Sequence, residues 1–162
     1  MKINFNNLIK VTELKEAEIE DIDEQLEYLK EATAFLLSHK WCDNIVESWY
    51  DKGWAGILAV FLFKIIPKGE GVDTFVWVIT GDLPPAYIDI DSALNGTCAI
   101  KAYTDIMEDW VDCVFKKKNV AECYPINVPP TKEYAKMLKT RIDFIRKEIL
   151  SLFPEDLKAY KL

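Results

Sequence analysis

The first place to look for acid-base or metal chemistry is His39, the one histidine among 162 residues and the one side chain type whose unperturbed pKa lies near neutrality. Cys42 and Asp43 follow it, a spacing that could set a thiol nucleophile beside its base or bring two or three ligands to a metal. Neither version is well supplied. The histidine falls where a helical pattern gives way to a strand-like one, and a reactive thiol needs a setting that stabilises its thiolate. A structural zinc site needs four ligands, and the sequence holds no second histidine and no C-x-x-C pair. A histidine at a helix end and a cysteine in the core is the plainer reading, and no metal or cofactor is expected. Carboxylates are too abundant to be evidence by themselves. Asp89 and Asp91 share one face of an expected edge strand, where charge blocks edge-to-edge association, and Asp105, Glu108, Asp109 and Asp112 follow helical spacing beside an apolar stripe. No P-loop, EF-hand loop, G-x-G-x-x-G turn, G-x-S-x-G elbow or H-E-x-x-H helix occurs, so no catalytic residue is assigned.

Binding is better supplied than catalysis. In Thr80-Gly81-Asp82-Leu83-Pro84-Pro85-Ala86-Tyr87 two prolines stiffen the backbone and Gly81 permits an unusual dihedral, so Asp82 and Tyr87 can project from a preorganised loop. Turn chemistry alone also accounts for such a segment. Of the five tryptophans, Trp77 and Trp110 lie on apolar patterns and belong to the core, whereas Trp41, Trp49 and Trp54 gather near the first strands. Trp41, Trp49, Asp82 and Tyr87 are therefore the candidate binding residues.

The charge of −7, with a pI near 4.8, argues against the phosphate backbone of a nucleic acid as the main partner. Its position is more informative than its size. Between Glu13 and Glu31 lie nine acids and two bases, a charge of −7, so the other 143 residues, with 18 acids and 18 bases, sum to zero. Ile19, Ile22, Leu26, Leu29, Thr33 and Leu36 mark the apolar stripe of a helix over about Glu18 to Ser38, and most of the acids fall off it. Glu20, Glu24, Glu27 and Glu31 form a candidate acidic interface able to steer a basic protein partner into contact. An ordinary solvated helix face would look the same.

Those groups must be positioned by a chain that is 50% hydrophobic and of a length suited to one domain, residues 1–162. From Trp41 to Ile90 β-branched and aromatic residues alternate with turn clusters. The predicted elements are a hairpin turning at Asp51-Lys52-Gly53, a strand after Pro67-Lys68-Gly69-Glu70-Gly71, and another after Gly81-Asp82-Leu83-Pro84-Pro85. Trp41, Ile45 and Trp49 also fit a short helix, so residues 41–50 stay open between strand and helix. Ala55 to Phe63 is apolar on both alternating faces, as a central strand is, whereas Ile88 and Ile90 oppose Tyr87, Asp89 and Asp91, as at an edge. Ala99, Tyr103, Ile106, Trp110 and Val114 predict a helix closed by Lys116-Lys117-Lys118 and capped by Asn119. Thr131 caps a last helix with its stripe on Tyr134, Leu138, Ile142, Ile145, Ile149 and Leu152, ending at Pro154. The expected class is α+β: a small antiparallel meander of three or four strands packed with an N-terminal helix and two C-terminal helices.

The absence of a signal-like start and of a twenty-residue apolar run leads to the expectation of a cytoplasmic protein, not bound to membranes, with Cys42, Cys98, Cys113 and Cys123 as four free thiols. The segments LLSHKWC, GILAVFLFKI, GVDTFVWVITGDLPPAY, PINVPPT and RIDFIRKEIL together resemble a family of bacterial proteins carried as a domain of unknown function. The resemblance runs from about residue 30 to residue 150, with GDLPPAY its most specific motif. It implies a bacterial, soluble, single-domain protein and transfers no activity and no catalytic residue. The leading expectation is a binding or regulatory module, such as an immunity-type antagonist covering a basic toxin or nuclease. The alternative is a small-ligand binder or enzyme with a pocket between sheet and helices, using some of His39, Cys42, Asp82 and Tyr87. A homo-oligomeric module is a third reading, and the oligomeric state is left open.

Overall fold

Leu58, Val60 and Leu62 point to one face of a strand while Ala59, Phe61 and Phe63 point to the other, and all six are fully buried. Such a strand needs a cover on both sides. The computed structural model, which describes residues 3–160, supplies one. The strand is β3 (Leu58–Pro67), at the centre of a five-stranded antiparallel sheet whose spatial order follows the chain: β1 (Ile9–Lys10), β2 (Cys42–Trp54), β3, β4 (Phe75–Gly81) and β5 (Ala86–Asp89). One face carries α1 (Ile22–Leu37), which packs Tyr28, Ala32 and Leu36 on Tyr50, Phe61, Phe63 and Val78. The opposite face carries α2 (Gly96–Phe115), with α3 (Lys132–Phe144) and α4 (Pro154–Leu157) beside it. There Tyr103, Met107 and Trp110 meet Val60, Leu62, Trp77 and Ile88.

The α+β class and the meander hold, and several details change. Five strands replace the expected three or four, because β1 is only two residues long, pairing Ile9 with Tyr50 and Lys10 with Trp49, too short to carry a periodic signal. Residues 42–54 are strand, not helix, so the helical spacing of Trp41, Ile45 and Trp49 is incidental. The hairpin does not turn at Asp51-Lys52-Gly53. It turns at Ala55-Gly56-Ile57, where Gly56 takes φ 75° and Ile57 N–H donates to the Trp54 carbonyl at 3.0 Å. Gly53 serves a different purpose: a side chain there would run into Gln25 and Ala59. The first helix starts at Ile22 rather than Glu18, since Glu18 and Asp21 both adopt left-handed backbone. Lys117, also left-handed, closes α2, and Asn119 instead caps the short turn Val120–Glu122 by accepting from Ala121 N–H. Asn95 and Thr131 cap α2 and α3. The last helix widens over Ile145–Ile149 and tightens over Leu150–Leu152; Tyr134, in its first turn, and Leu152, at its end, are exposed, and Pro154 begins α4 rather than ending a helix. No helix among the described residues is long and apolar enough to cross a membrane.

One polar group sits uneasily in this core. Gln25 of α1 is 1% exposed, and neither end of its amide has a hydrogen-bond partner among the described residues. Gln25→Met keeps the unbranched shape and the helix propensity while removing the unpaired amide, and is expected to raise the unfolding free energy by about 1 kcal/mol in urea titration. A loss of similar size would show that the amide is satisfied in solution.

Candidate functional site

The end of α1 and the β5 edge bring five aromatic rings together. Phe35, in the last turn of α1, and His39, just beyond its end, have ring centres 4.7 Å apart, and His39 Nδ1 lies 2.8 Å from the Phe35 carbonyl. The chain then bends, with Cys42 N–H donating to the His39 carbonyl at 3.1 Å, and presents Trp41 at the mouth of the sheet. Tyr87 comes from β5, opposite Val78, and its N–H donates to the Tyr124 hydroxyl at 3.0 Å. His39 is 5.0 Å from both Trp41 and Tyr87, Trp41 is 4.9 Å from Tyr87, and Tyr124 is 5.4 Å from Tyr87, mostly edge to face. Such contacts hold the rings in defined orientations.

Beside them opens a cleft of about 210 Å³, walled by Trp41, Val72, Phe75, Val76 and Tyr87 and edged by Asp73 and Asp89. Asp73, Asp89 and Asp91 are exposed, and their carboxylates can approach within 4.8 Å of one another. None has an ion-pair partner among the described residues, although Ser92 donates to both Asp89 oxygens at 2.7 and 2.9 Å. Partial burial, then the charges of Asp91 and Asp89, push the Asp73 carboxyl above its usual range. Aromatic faces beside uncompensated carboxylates suit a cation, an alkylammonium or guanidinium above all.

Of the candidate binding residues, the structure joins Trp41 and Tyr87. Trp49 is 7% exposed on the opposite face, packed on Phe5 and Phe75 at 5.1 and 6.1 Å, and presents no open surface. Asp82 lies outside the cleft, in a 2.7 Å ion pair with Arg141 of α3 that crosses an apolar groove lined by Leu83, Pro84 and Met137. Glu27 and Glu31 are exposed on α1, and Glu20 is exposed just before the helix begins. Glu24 is already engaged: it accepts from the Tyr28 hydroxyl at 2.8 Å and from Gly56 N–H at 3.0 Å, tying α1 to the β2–β3 turn. No acid from Glu13 to Glu31 forms an ion pair among the described residues. His39 and Cys42 do not make a nucleophile and base, because the buried Cys42 thiol turns to the Asn44 carbonyl at 3.8 Å. Asp105 and Glu108 hold Arg146 at 2.9 and 2.6 Å, clamping the widened segment after α3 to α2. Burial opposes ionisation of Asp105, but hydrogen bonds from Lys101, Tyr160 and Arg146 keep its carboxyl below the usual range.

A second site was not legible in the sequence. Tyr50 pairs with Phe61 and Lys52 with Val60, so Asp51 is an extra residue in β2, a bulge that aims Asp51 and Lys52 at the same side of the sheet. Lys52 Nζ donates to Thr97 Oγ1 at 2.6 Å, lies 3.6 and 3.5 Å from Asp51 and Asp156, and sits 3.9 Å above the Phe153 ring. Thr97 Oγ1 in turn donates to Asp156 at 2.8 Å. Gly96 makes room for the Asp51 carboxylate at the start of α2, because a Cβ there would displace it. The Asp51 side chain is 8% exposed, and burial raises its carboxyl above the usual range while Lys52 pulls it back. Over this network lies a polar cavity of about 620 Å³, bordered also by Asn4, Asn7 and Asn95. In the sequence, Asp51-Lys52-Gly53 reads as turn chemistry; only the bulge reveals the pair.

No family model, curated protein or solved structure matches the chain.

Proposed function

We propose that the chain is a cytoplasmic, single-domain binding module, related to the bacterial family with the GDLPPAY-type motif, that covers a basic protein partner in the manner of an immunity-type antagonist. The observation that carries this reading is the cleft in which Trp41 and Tyr87 stand beside Asp73 and Asp89 with no described cation on either carboxylate. A lysine or arginine side chain of the partner fills it, its stem on the rings and its charge between the acids. Glu20, Glu27 and Glu31, which have no ion-pair partner among the described residues, supply the longer-range attraction, which speeds encounter more than it holds the complex.

A lysine-rich peptide of defined sequence, titrated by tryptophan fluorescence, tests the reading. Affinity is expected to fall as salt rises through about 0.15 M, where the screening length is about 8 Å. Trp41→Ala is expected to weaken binding about tenfold, equivalent to about 1.4 kcal/mol, while Trp49→Phe changes it little. Joint replacement of Glu20, Glu27 and Glu31 by glutamine is expected to slow association and flatten the salt dependence. Binding that ignores both salt and Trp41 would sink the proposal.

A small-ligand reading is favoured by a separate observation, the convergence of Lys52, Asp51, Asp156 and three asparagines on the polar cavity. Those groups suit a small hydroxylated or amino compound, not an anion, since two carboxylates face one lysine. A polyol or amine that raises Tm in a concentration-dependent way, and loses that effect in Asn7→Ala, would support it.

A further inference from the structure

Cys113 lies in the last turns of α2, and the chain returns to it ten residues later. Lys117 reverses direction in left-handed backbone, Lys118 N–H donates to the Cys113 carbonyl at 2.8 Å, and Asn119 caps the turn that delivers Cys123. The two sulfurs are 2.7 Å apart. Both residues are half-buried and border an open hollow of about 440 Å³ with Lys116, Lys118 and Tyr124. Cys42 and Cys98 differ in burial and in having no sulfur neighbour: both are buried, and their thiols turn to the carbonyls of Asn44 and Asp156. The fold thus separates two inert thiols from two that touch each other within reach of solvent.

We propose that Cys113 and Cys123 are a thiol–disulfide exchange site, closed to an intramolecular disulfide by a disulfide of the oxidised-glutathione class. Cys113 thiolate attacks one sulfur of the incoming disulfide, breaking its S–S bond, forming a mixed disulfide on Cys113 and releasing the first glutathione as thiolate. That thiolate takes the Cys123 proton. The Cys123 sulfur then attacks the Cys113 sulfur and expels the second glutathione, which is protonated from water. The protein loses two protons and two electrons, and one oxidised glutathione becomes two reduced ones. The Cys123 thiol donates to the Asp109 carbonyl at 3.8 Å, which holds its proton and leaves Cys113 as the attacking sulfur; the hydrogen bond to Cys113, then burial, push the Cys123 thiol up in the same sense. Closing the bond needs the sulfurs to approach by only about two-thirds of an ångström, given an S–S length of about 2.05 Å. The product ties the end of α2 to the segment carrying Tyr124, the residue that packs on Tyr87. The exchange does not depend on what the aromatic cleft binds.

Reduced protein equilibrated with oxidised glutathione, quenched by alkylation and mapped by mass spectrometry, tests the site. In the wild-type chain two of the four thiols should become unreactive, the mass should fall by two hydrogens with no glutathione retained, and dithiothreitol should restore both thiols. Cys123→Ser should hold one stable glutathione on Cys113, while Cys113→Ser should gain adduct much more slowly. Circular dichroism of the variants separates misfolding from lost chemistry, and the wild-type result stands without them. Four alkylatable thiols at equilibrium, or lasting adducts on both cysteines of the wild-type chain, would overturn the proposal.

Discussion

Replacing Gly81 by alanine is expected to lower the unfolding free energy by about 3–5 kcal/mol, among the largest losses for a single added methyl group in this chain. Two causes act together. Gly81 adopts φ 145°, where an L side chain is strained. A Cβ there would also press on the Ile57 carbonyl and come within 2.6 Å of Leu58 Cα, backbone atoms of the neighbouring strand that have no rotamer with which to yield. The close approach is part of the register: Gly81 pairs with Leu58, and Asp82 N–H donates to the Ile57 carbonyl at 3.1 Å. Gly56→Ala is the internal comparison, because Gly56 is left-handed but its Cβ would meet nothing within 4 Å. It should cost about 1 kcal/mol. Urea unfolding of both variants at unchanged m value tests the difference. If the two losses were equal, the contact with β3 would contribute nothing and only the backbone conformation would matter. Because Gly81 opens the segment that ends in Tyr87, a tolerated variant should also shift the fluorescence of Trp41, 4.9 Å from that ring.

This glycine also marks where sequence reading works. Period-two patterning on both faces identified β3 as central, and the alternation of Ile88 with Tyr87 and Asp89 identified β5 as an edge, because burial there repeats over several residues. The α1 and α3 stripes were visible for the same reason. What escaped the sequence depends on single residues or distant partners. Gly53 and Gly56 are indistinguishable as letters; Gly53 is small because Gln25 of α1 lies against it, whereas Gly56 is small because the chain turns there. The Lys117 reversal, the two-residue β1 and the Asp51 bulge likewise have no periodic signature. At the cleft, Trp41 and Tyr87 could be singled out as aromatic residues near turns, but Asp73 joins them only through the β3–β4 loop. The same limit applies to the acidic helix: nine acids were countable, but that Glu24 is engaged with Gly56 while Glu27 and Glu31 are exposed depends on packing.

Lys52→Met should cost about 3 kcal/mol at pH 7, and the size of the loss should depend on pH. The lysine is 17% exposed and is the cation that faces both Asp51 and Asp156. Removing one member of a buried charge pair leaves the other desolvated and uncompensated, which is worse than never having placed charges there. Methionine keeps the apolar stem over Phe153, so the loss reports mainly on charge. In the wild-type chain Asp51 already titrates above its usual range, chiefly through burial. A carboxyl with a raised folded pKa binds its proton more readily folded than unfolded, so it costs stability above the folded pKa, and that cost is relieved as pH falls towards the unfolded value of about 3.9. Without Lys52 the Asp51 pKa rises further, so the deficit of Lys52→Met should be fully present near pH 8 and shrink steadily towards pH 4. Asp51→Asn in the Lys52→Met background removes the stranded charge and should recover about 2 kcal/mol at pH 7, with much less effect in the wild-type background, where Lys52 still holds Asp156. Urea titrations of the four proteins between pH 4.5 and 8 measure both effects. A deficit that stays constant across that range would mean that the lysine acts through its hydrogen bond to Thr97, not as the counter-charge of a buried aspartate.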